Sequence, residues 1–187
     1  MGVKQIPYSV LSTDRINRIS ALLQSANHLG GDIAEVGSYK GGSGHYLNVH
    51  SKGKRVFLFD TFNGIPMKGE LDAHPIGDFG DTSFETVKEY FSDSPNVSVV
   101  QGIFPHSAKE IIKDNDKFCF VHIDADQYES TIDSLEFFYP KMVQHGIIVC
   151  DDWKWLDAAT KAINDFFETK KEKPIDSVMF QCFIIKS

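Results

Sequence analysis

Arginine is scarce in this 187-residue chain. Arg15, Arg18 and Arg55 are all there is, and Asp plus Glu outnumber Lys plus Arg by 26 to 19, for a net charge of −7. That balance offers no basic face for a phosphate backbone to follow and argues against a nucleic-acid partner. Long apolar runs are missing too: none approaches a membrane span, and the opening MGVKQIPYSV lacks the apolar core of a signal peptide. Met1-Gly2 with Lys4 invites an N-myristoylation reading, but the sixth residue is Ile6 rather than Ser or Thr, and the reading is set aside. Cysteine is limited to Cys119, Cys150 and Cys182, too dispersed for a thiolate metal site or a disulfide framework. All three lie in strand-like segments and are expected reduced and buried, in a cytoplasmic protein with no membrane partner.

What is present is an ordinary globular composition, 42% hydrophobic and 24% charged, read as one domain over residues 1–187. Residues 1–30 form an N-terminal helical segment, because Ile16, Ile19, Leu22, Leu23 and Ala26 recur at helical spacing after the capping oxygens of Ser12-Thr13-Asp14. Short apolar strands follow at Asp32–Val36, Arg55–Asp60, Val97–Gln101, Lys117–Asp124 and Gly146–Cys150, with a less regular strand segment at Ser177–Lys186, bent near Phe180. Helices separate them: one after the glycine loop, one opened by a capping box at Thr82-x-x-Glu85, one starting at Ser107-x-x-Glu110, one through Tyr128 to Tyr139 and one from Leu156 to Phe167. Strands apolar on both faces that alternate with helices predict an α/β, doubly wound, mostly parallel sheet. Residues 61–82 show no period and are read as a lid loop, and the Lys170–Lys173 run as a solvated helix end.

Two strands end in paired acids: Asp124 and Asp126 after FCFVHI, Asp151 and Asp152 after GIIVC. In a parallel sheet ligands bind beyond the carboxyl ends of the strands, so these four carboxylates should meet there, a cluster that needs a cation. Carboxylates without nearby Cys or His suit Mg²⁺ or another hard divalent ion. The alternative for Asp126, and for Asp151-Asp152, is to cap the helices that follow. His122, mid-strand, reads as a core histidine, and Trp153 and Trp155 stay unassigned between substrate pocket and packing. The loop Glu35-Val36-Gly37-Ser38-Tyr39-Lys40-Gly41-Gly42-Ser43 follows the first strand, where glycines let backbone approach a ligand. Tyr39 stands where a dinucleotide fingerprint needs glycine, and no lysine follows Gly42 as a P-loop requires, so phosphate chains are disfavoured. Asp60, with Thr61 and Phe62 after it, ends the second strand where an acid can accept both ribose hydroxyls. Gln101 and Gly102 end the third strand, where an adenine could be framed; a simple turn is the other reading.

Taken together, GDIAEVGSYKGGS, FLFDTFNGIP, GDFGDTSFETVKEYF, VQGIFPHS, FVHIDADQYESTIDSLEFFYP and GIIVCDDW, in that order from Gly31 to Trp153, resemble the macrocin O-methyltransferase family of class I S-adenosylmethionine-dependent methyltransferases. The resemblance implies a seven-stranded Rossmann-like sheet and methylation of a hydroxyl on a sugar or other small molecule, with S-adenosylmethionine and a divalent metal. It implies Glu35, Gly37 and Ser38 on the methionine end of the cofactor, with Tyr39, Gly41, Gly42 and Ser43 in the same loop, and Asp60 on the ribose. It further implies metal ligation by Asp124, Asp151 and Asp152, which leaves Asp126 as the general base. The family's longer members carry additional N-terminal and lid elements. Here one helix precedes the first strand, so the acceptor site is expected to be open or completed by a partner subunit in a homodimer. Rival readings are a metal-independent methyltransferase, a non-catalytic cofactor-binding module and, weakened by Tyr39, a nicotinamide oxidoreductase. His74, Asp78 and Asp81 of the long loop stay without roles.

Overall fold

The run FCFVHI is buried at all its positions, and a strand apolar on both faces can lie only in the interior of a sheet that is covered twice. In the computed structural model, which describes residues 4–177 and 179–187, that strand is central. Met1 and Gly2, and with them the myristoylation reading, lie outside the described residues, as does Val178 of the C-terminal strand segment. The strands are β1 (Asp32–Val36), β2 (Val56–Asp60), β3 (Val97–Gln101), β4 (Phe118–Ile123), β5 (Met142–Cys150), β6 (Ile175–Asp176) and β7 (Cys182–Ile185). They form one seven-stranded sheet in the order β3-β2-β1-β4-β5-β7-β6. β1 to β5 pair in parallel, while β7 runs antiparallel to both β5 and β6. The expected doubly wound, mostly parallel sheet is therefore present, with a mixed edge. Strand order reverses between β1 and β4, which opens a crevice at their carboxyl ends.

Alternation along the strands sends side chains into two cores. Phe57, Val121 and Ile148 pack with Leu135 and Phe138 of α5 (Tyr128–Phe138) and Ile163 and Phe167 of α6 (Asp157–Phe167). Ile33, Leu58, Phe120 and Val149 face the other way. There they meet Ile19 and Leu23 of α1 (Thr13–Ala26), Leu47 of α2 (Gly42–His50) and Val87 of α3 (Phe84–Tyr90). The period of two in the strands and of 3.6 in the helices is thus satisfied on both faces of the sheet.

Local chemistry differed from expectation at several joints. Ser83, not Thr82, caps α3, accepting from the Thr86 amide at 3.3 Å. Thr82 instead donates to the Tyr39 carbonyl at 2.7 Å, because the long loop returns to the glycine loop just before the helix begins. The expected Ser107 helix is a single turn, α4 (His106–Lys109), without a side-chain cap. Strand β5 begins four residues early, at Met142, with an irregular register against β4. The C-terminal segment is two short strands separated by a turn at Met179 and Phe180, both at positive φ. Glu172, read as part of a solvated end, is buried and accepts from Tyr139 Oη at 2.6 Å and from the Ser187 amide at 2.9 Å.

Candidate active site

Four strand ends meet at the crevice, and each is followed by a residue in the left-handed region that is not glycine. These are Tyr39 after β1, Phe62 after β2, Asp126 after β4 and Asp152 after β5, with φ of 49°, 51°, 58° and 58°. Such conformations cost energy, and they collect where a chain must aim side chains into a site. A cavity of about 310 Å³ lies there. Val36, Gly37, Tyr39, Asp60, Thr61, Gly102, Asp124, Asp126 and Asp152 line it, roofed by Ile65, Pro66, His74 and Phe79 of the long loop and walled by Arg15, Trp155 and Leu156.

The β1–β2 side of the cavity is anchored by Asp60. Its two oxygens accept from the amides of Tyr39 and Phe62, each at 2.7 Å, which leaves each oxygen a lone pair for a further donor. Burial raises its pKa, partly offset by those amides. Gly37, at φ 89°, has no room for a Cβ, which would lie 1.8 Å from the Asp124 carbonyl, so this glycine is what lets the β1 and β4 ends touch. At the other loop glycines the missing side chain makes room for neighbouring chain. A Cβ at Gly42 would lie 2.6 Å from the Tyr8 carbonyl, and one at Gly41 would press on Val87 and Phe91. Gly41, Gly42 and Ser43 do not line the cavity, and Phe62 points into the core against Phe84. Gln101 is exposed and reaches the Thr61 carbonyl rather than the cavity. Glu35 and Ser38 are buried behind the cavity lining, where Glu35 Oε2 and Ser38 Oγ have no hydrogen-bond partner within the protein.

The acids fall into two layers. Asp124, Asp126 and Asp152 bring one carboxylate oxygen each within 4.8 Å of one another at the cavity wall. Burial, and after it the neighbouring carboxylates, push Asp124 well above the ordinary range; burial and the contact with Asp152 do the same for Asp126. Asp151 turns away from the cavity. Its Oδ1 accepts from Arg15 Nη2 at 2.6 Å, and its Oδ2 accepts from Gln181 Nε2 at 2.7 Å and faces His122 Nε2 at 3.2 Å. His122, fully buried, spans from Asp151 to Glu35, whose Oε1 lies 2.9 Å from Nδ1. Burial opposes its charge, but with a carboxylate on each nitrogen its pKa is raised well above the usual value. Nor is Asp126 a helix cap. The Tyr128 amide that opens α5 donates instead to Asp72 Oδ1, at 3.0 Å, from the long loop.

Known proteins match this chain. The family described as macrocin-O-methyltransferase (TylF) matches residues 3–186. The chain belongs to the macrocin O-methyltransferase family.

This O-methyltransferase is 24% identical, over 178 residues, to the 8-demethyl-8-(2,3-dimethoxy-alpha-L-rhamnosyl)-tetracenomycin-C 4'-O-methyltransferase of Streptomyces olivaceus, covering 86% of the chain and 68% of that protein. It is 24% identical over 176 residues to the demethyldecarbamoylnovobiocin O-methyltransferase of Streptomyces niveus, covering 85% and 67%. Among solved structures it resembles the O-methyltransferase NovP, with a TM-score of 0.84 at 20% identity over 96% of this chain and 82% of that one. It also resembles an O-methyltransferase from Bacillus cereus solved in complex with SAH, with a TM-score of 0.68 at 17% identity over 97% and 84%. At these identities the structural likeness bears on the fold.

Three features of the O-methyltransferase site carried no readable signal in the sequence. Arg15 enters from the first turn of α1, a neighbour that only the fold supplies. The Glu35–His122 pair depends on the register of β1 against β4, in which those two residues are partners. Asp72 sits in a segment without periodicity, and no spacing rule links it to Tyr128. Of the residues left without roles, His74 roofs the cavity with Asp78 on its Nδ1 at 3.2 Å. Asp81 fastens Tyr39 and Lys40. Trp153 is core and Trp155 is exposed at the cavity wall against Phe180.

Proposed function

We propose that this O-methyltransferase transfers the methyl group of S-adenosylmethionine to a hydroxyl of a sugar or sugar-bearing small molecule, with Mg²⁺ or another hard divalent cation at the acid cluster. The observation that carries the reading is that one cavity holds both the Asp60 end of β2 and the Asp124, Asp126 and Asp152 cluster. A donor and an acceptor bound there would lie side by side. The relatives support the acceptor class, since one is named for a rhamnosyl tetracenomycin and another for demethyldecarbamoylnovobiocin.

The residues fit the cofactor. Glu35 Oε2 and Ser38 Oγ are buried polar atoms without partners, and such atoms call for a polar ligand group like the ammonium and carboxylate of a methionine end. Asp60 keeps the lone pairs that a ribose diol needs, pre-aimed by two amides. The residues fit the metal as well, because oxygens from Asp124, Asp126 and Asp152 converge with no thiolate among them. Asp124 and Asp152 would hold the ion, and Asp151 would join once its Oδ1 is released by Arg15. A bound cation would lower the pKa of the acceptor hydroxyl and orient it.

Asp126 then takes the proton. It lines the cavity beside Asp152 and is not engaged as a helix cap, so its carboxylate is available as a general base. His122 holds Asp151 in place from behind and joins the acid cluster to Glu35. Ile65, Pro66, His74 and Phe79 of the long loop line the cavity and would shield a sulfonium bound there from part of the solvent. Thermal shift with S-adenosylhomocysteine, with and without Mg²⁺, tests the reading: the product cofactor should raise the melting temperature alone, and Mg²⁺ should add to it. A folded sample that does not respond to the product cofactor would refute the assignment.

A further inference from the structure

Among the residues lining the cavity, Arg15 is the one with a permanent positive charge. Its Nη2 lies 2.6 Å from Asp151 Oδ1 and 3.0 Å from Asp152 Oδ1, while Nε donates to the Met179 carbonyl at 2.8 Å. The group is sequestered: the side chain of Arg15 is 15% exposed, and those of Asp151 and Asp152 are 0% and 10% exposed. One nitrogen thus bridges one oxygen of each adjacent carboxylate, oxygens that a divalent ion held by this pair would also need. A guanidinium and a divalent ion cannot both take those oxygens, since like charges at such range repel strongly where solvent does not screen them.

We infer that Arg15 is a built-in counter-cation of the Asp151–Asp152 pair and competes with the divalent ion for the same carboxylate oxygens. The inference rests on the metal reading given above. Without metal, Arg15 spares the fold the cost of buried acids facing one another. A divalent ion held by Asp151 and Asp152 would need the oxygens that the guanidinium now engages. Arg15 is therefore a positioning residue that sets how tightly the ion is held.

Mn²⁺ titration followed by electron paramagnetic resonance tests this on wild type, Arg15→Lys and Arg15→Gln, with melting in EDTA measured alongside. Removing the charge should tighten Mn²⁺ binding about tenfold or more in Arg15→Gln. The EDTA form of that variant should melt lower, and the gap should narrow in saturating Mn²⁺. Arg15→Lys, which keeps the charge but loses the two-point bridge and the Met179 anchor, should fold and bind a few-fold more tightly than wild type. Affinity unchanged or weakened in both variants would overturn the competition and leave Arg15 a structural clasp. Should Arg15→Gln fail to fold without metal, Arg15→Lys decides by the same criterion. No Mn²⁺ binding by any of the three proteins would overturn the metal reading itself, and this inference with it.

Discussion

Single residues decide the chemistry of this site. Asp126 stands in the left-handed region, beside Asp152 and facing the cavity, and the helix that follows takes its cap from elsewhere. A carboxylate freed from capping and facing the cavity is placed to take a proton. Asp126→Asn should therefore lower turnover by about 10²–10⁴-fold, with S-adenosylhomocysteine affinity retained, as calorimetry and a methyl-transfer assay can show together. Near-normal turnover would remove Asp126 from the reaction. Gly37 is constrained in another way. Because a Cβ there would collide with the Asp124 carbonyl, Gly37→Ala should cost about 3 kcal/mol or more in chemical denaturation and should disturb the acid cluster.

Among the elements, the long loop from Thr61 to Thr82 does more than cross the surface. It folds on itself through Ile65 and Asp78, and at its far end Thr82 and Asp81 tie it to Tyr39. In its middle, Asp72 accepts from the Tyr128 amide and from Gln127 Nε2, so the roof of the cavity is also the N-terminal cap of α5. Two functions then share one carboxylate. Asp72→Ala should lower stability by about 1–2 kcal/mol, the ordinary worth of a cap and a buried hydrogen bond, and should speed hydrogen exchange in both the loop and the first turn of α5. Faster exchange in only one of them would show that the roof and the helix are not coupled.

At the scale of the whole molecule, the mixed edge of the sheet is closed by Glu172. It accepts from Tyr139, from the Ser187 amide and hydroxyl, and from Lys186, so the C-terminal strand is pinned to the helical layer. Burial alone would raise its pKa, but the hydrogen bonds from Tyr139 and Ser187 prevail and hold it far below the ordinary range. A carboxyl depressed in the fold contributes stability above its unfolded pKa of about 4.3 and loses it as pH falls toward the folded value. Glu172→Ala should thus be less stable than wild type by about 2 kcal/mol at neutral pH, and the difference should shrink as urea melts are repeated below about pH 4.

Much of this architecture was readable from the chain because it depends on short-range patterns. Apolar runs such as FCFVHI can satisfy their backbone only inside a covered sheet, alternation with helices makes that sheet parallel, and acids placed just after two such runs must emerge at the same rim. The positions of Asp60, Asp124, Asp126 and Asp152 around one cavity follow from that rule. What the chain could not disclose is which partners reach those acids from a distance. Asp151 was expected at the cation, yet Arg15, His122 and Gln181 converge on it from α1, β4 and the last turn, contacts separated by 136, 29 and 30 residues in sequence. Gly41 and Gly42 also give room to neighbouring chain segments, because a missing Cβ registers as room for a ligand or for protein alike. Composition and periodicity determine which groups arrive at the rim of the sheet; only the packing of distant segments decides which of their lone pairs and charges are still free when they get there.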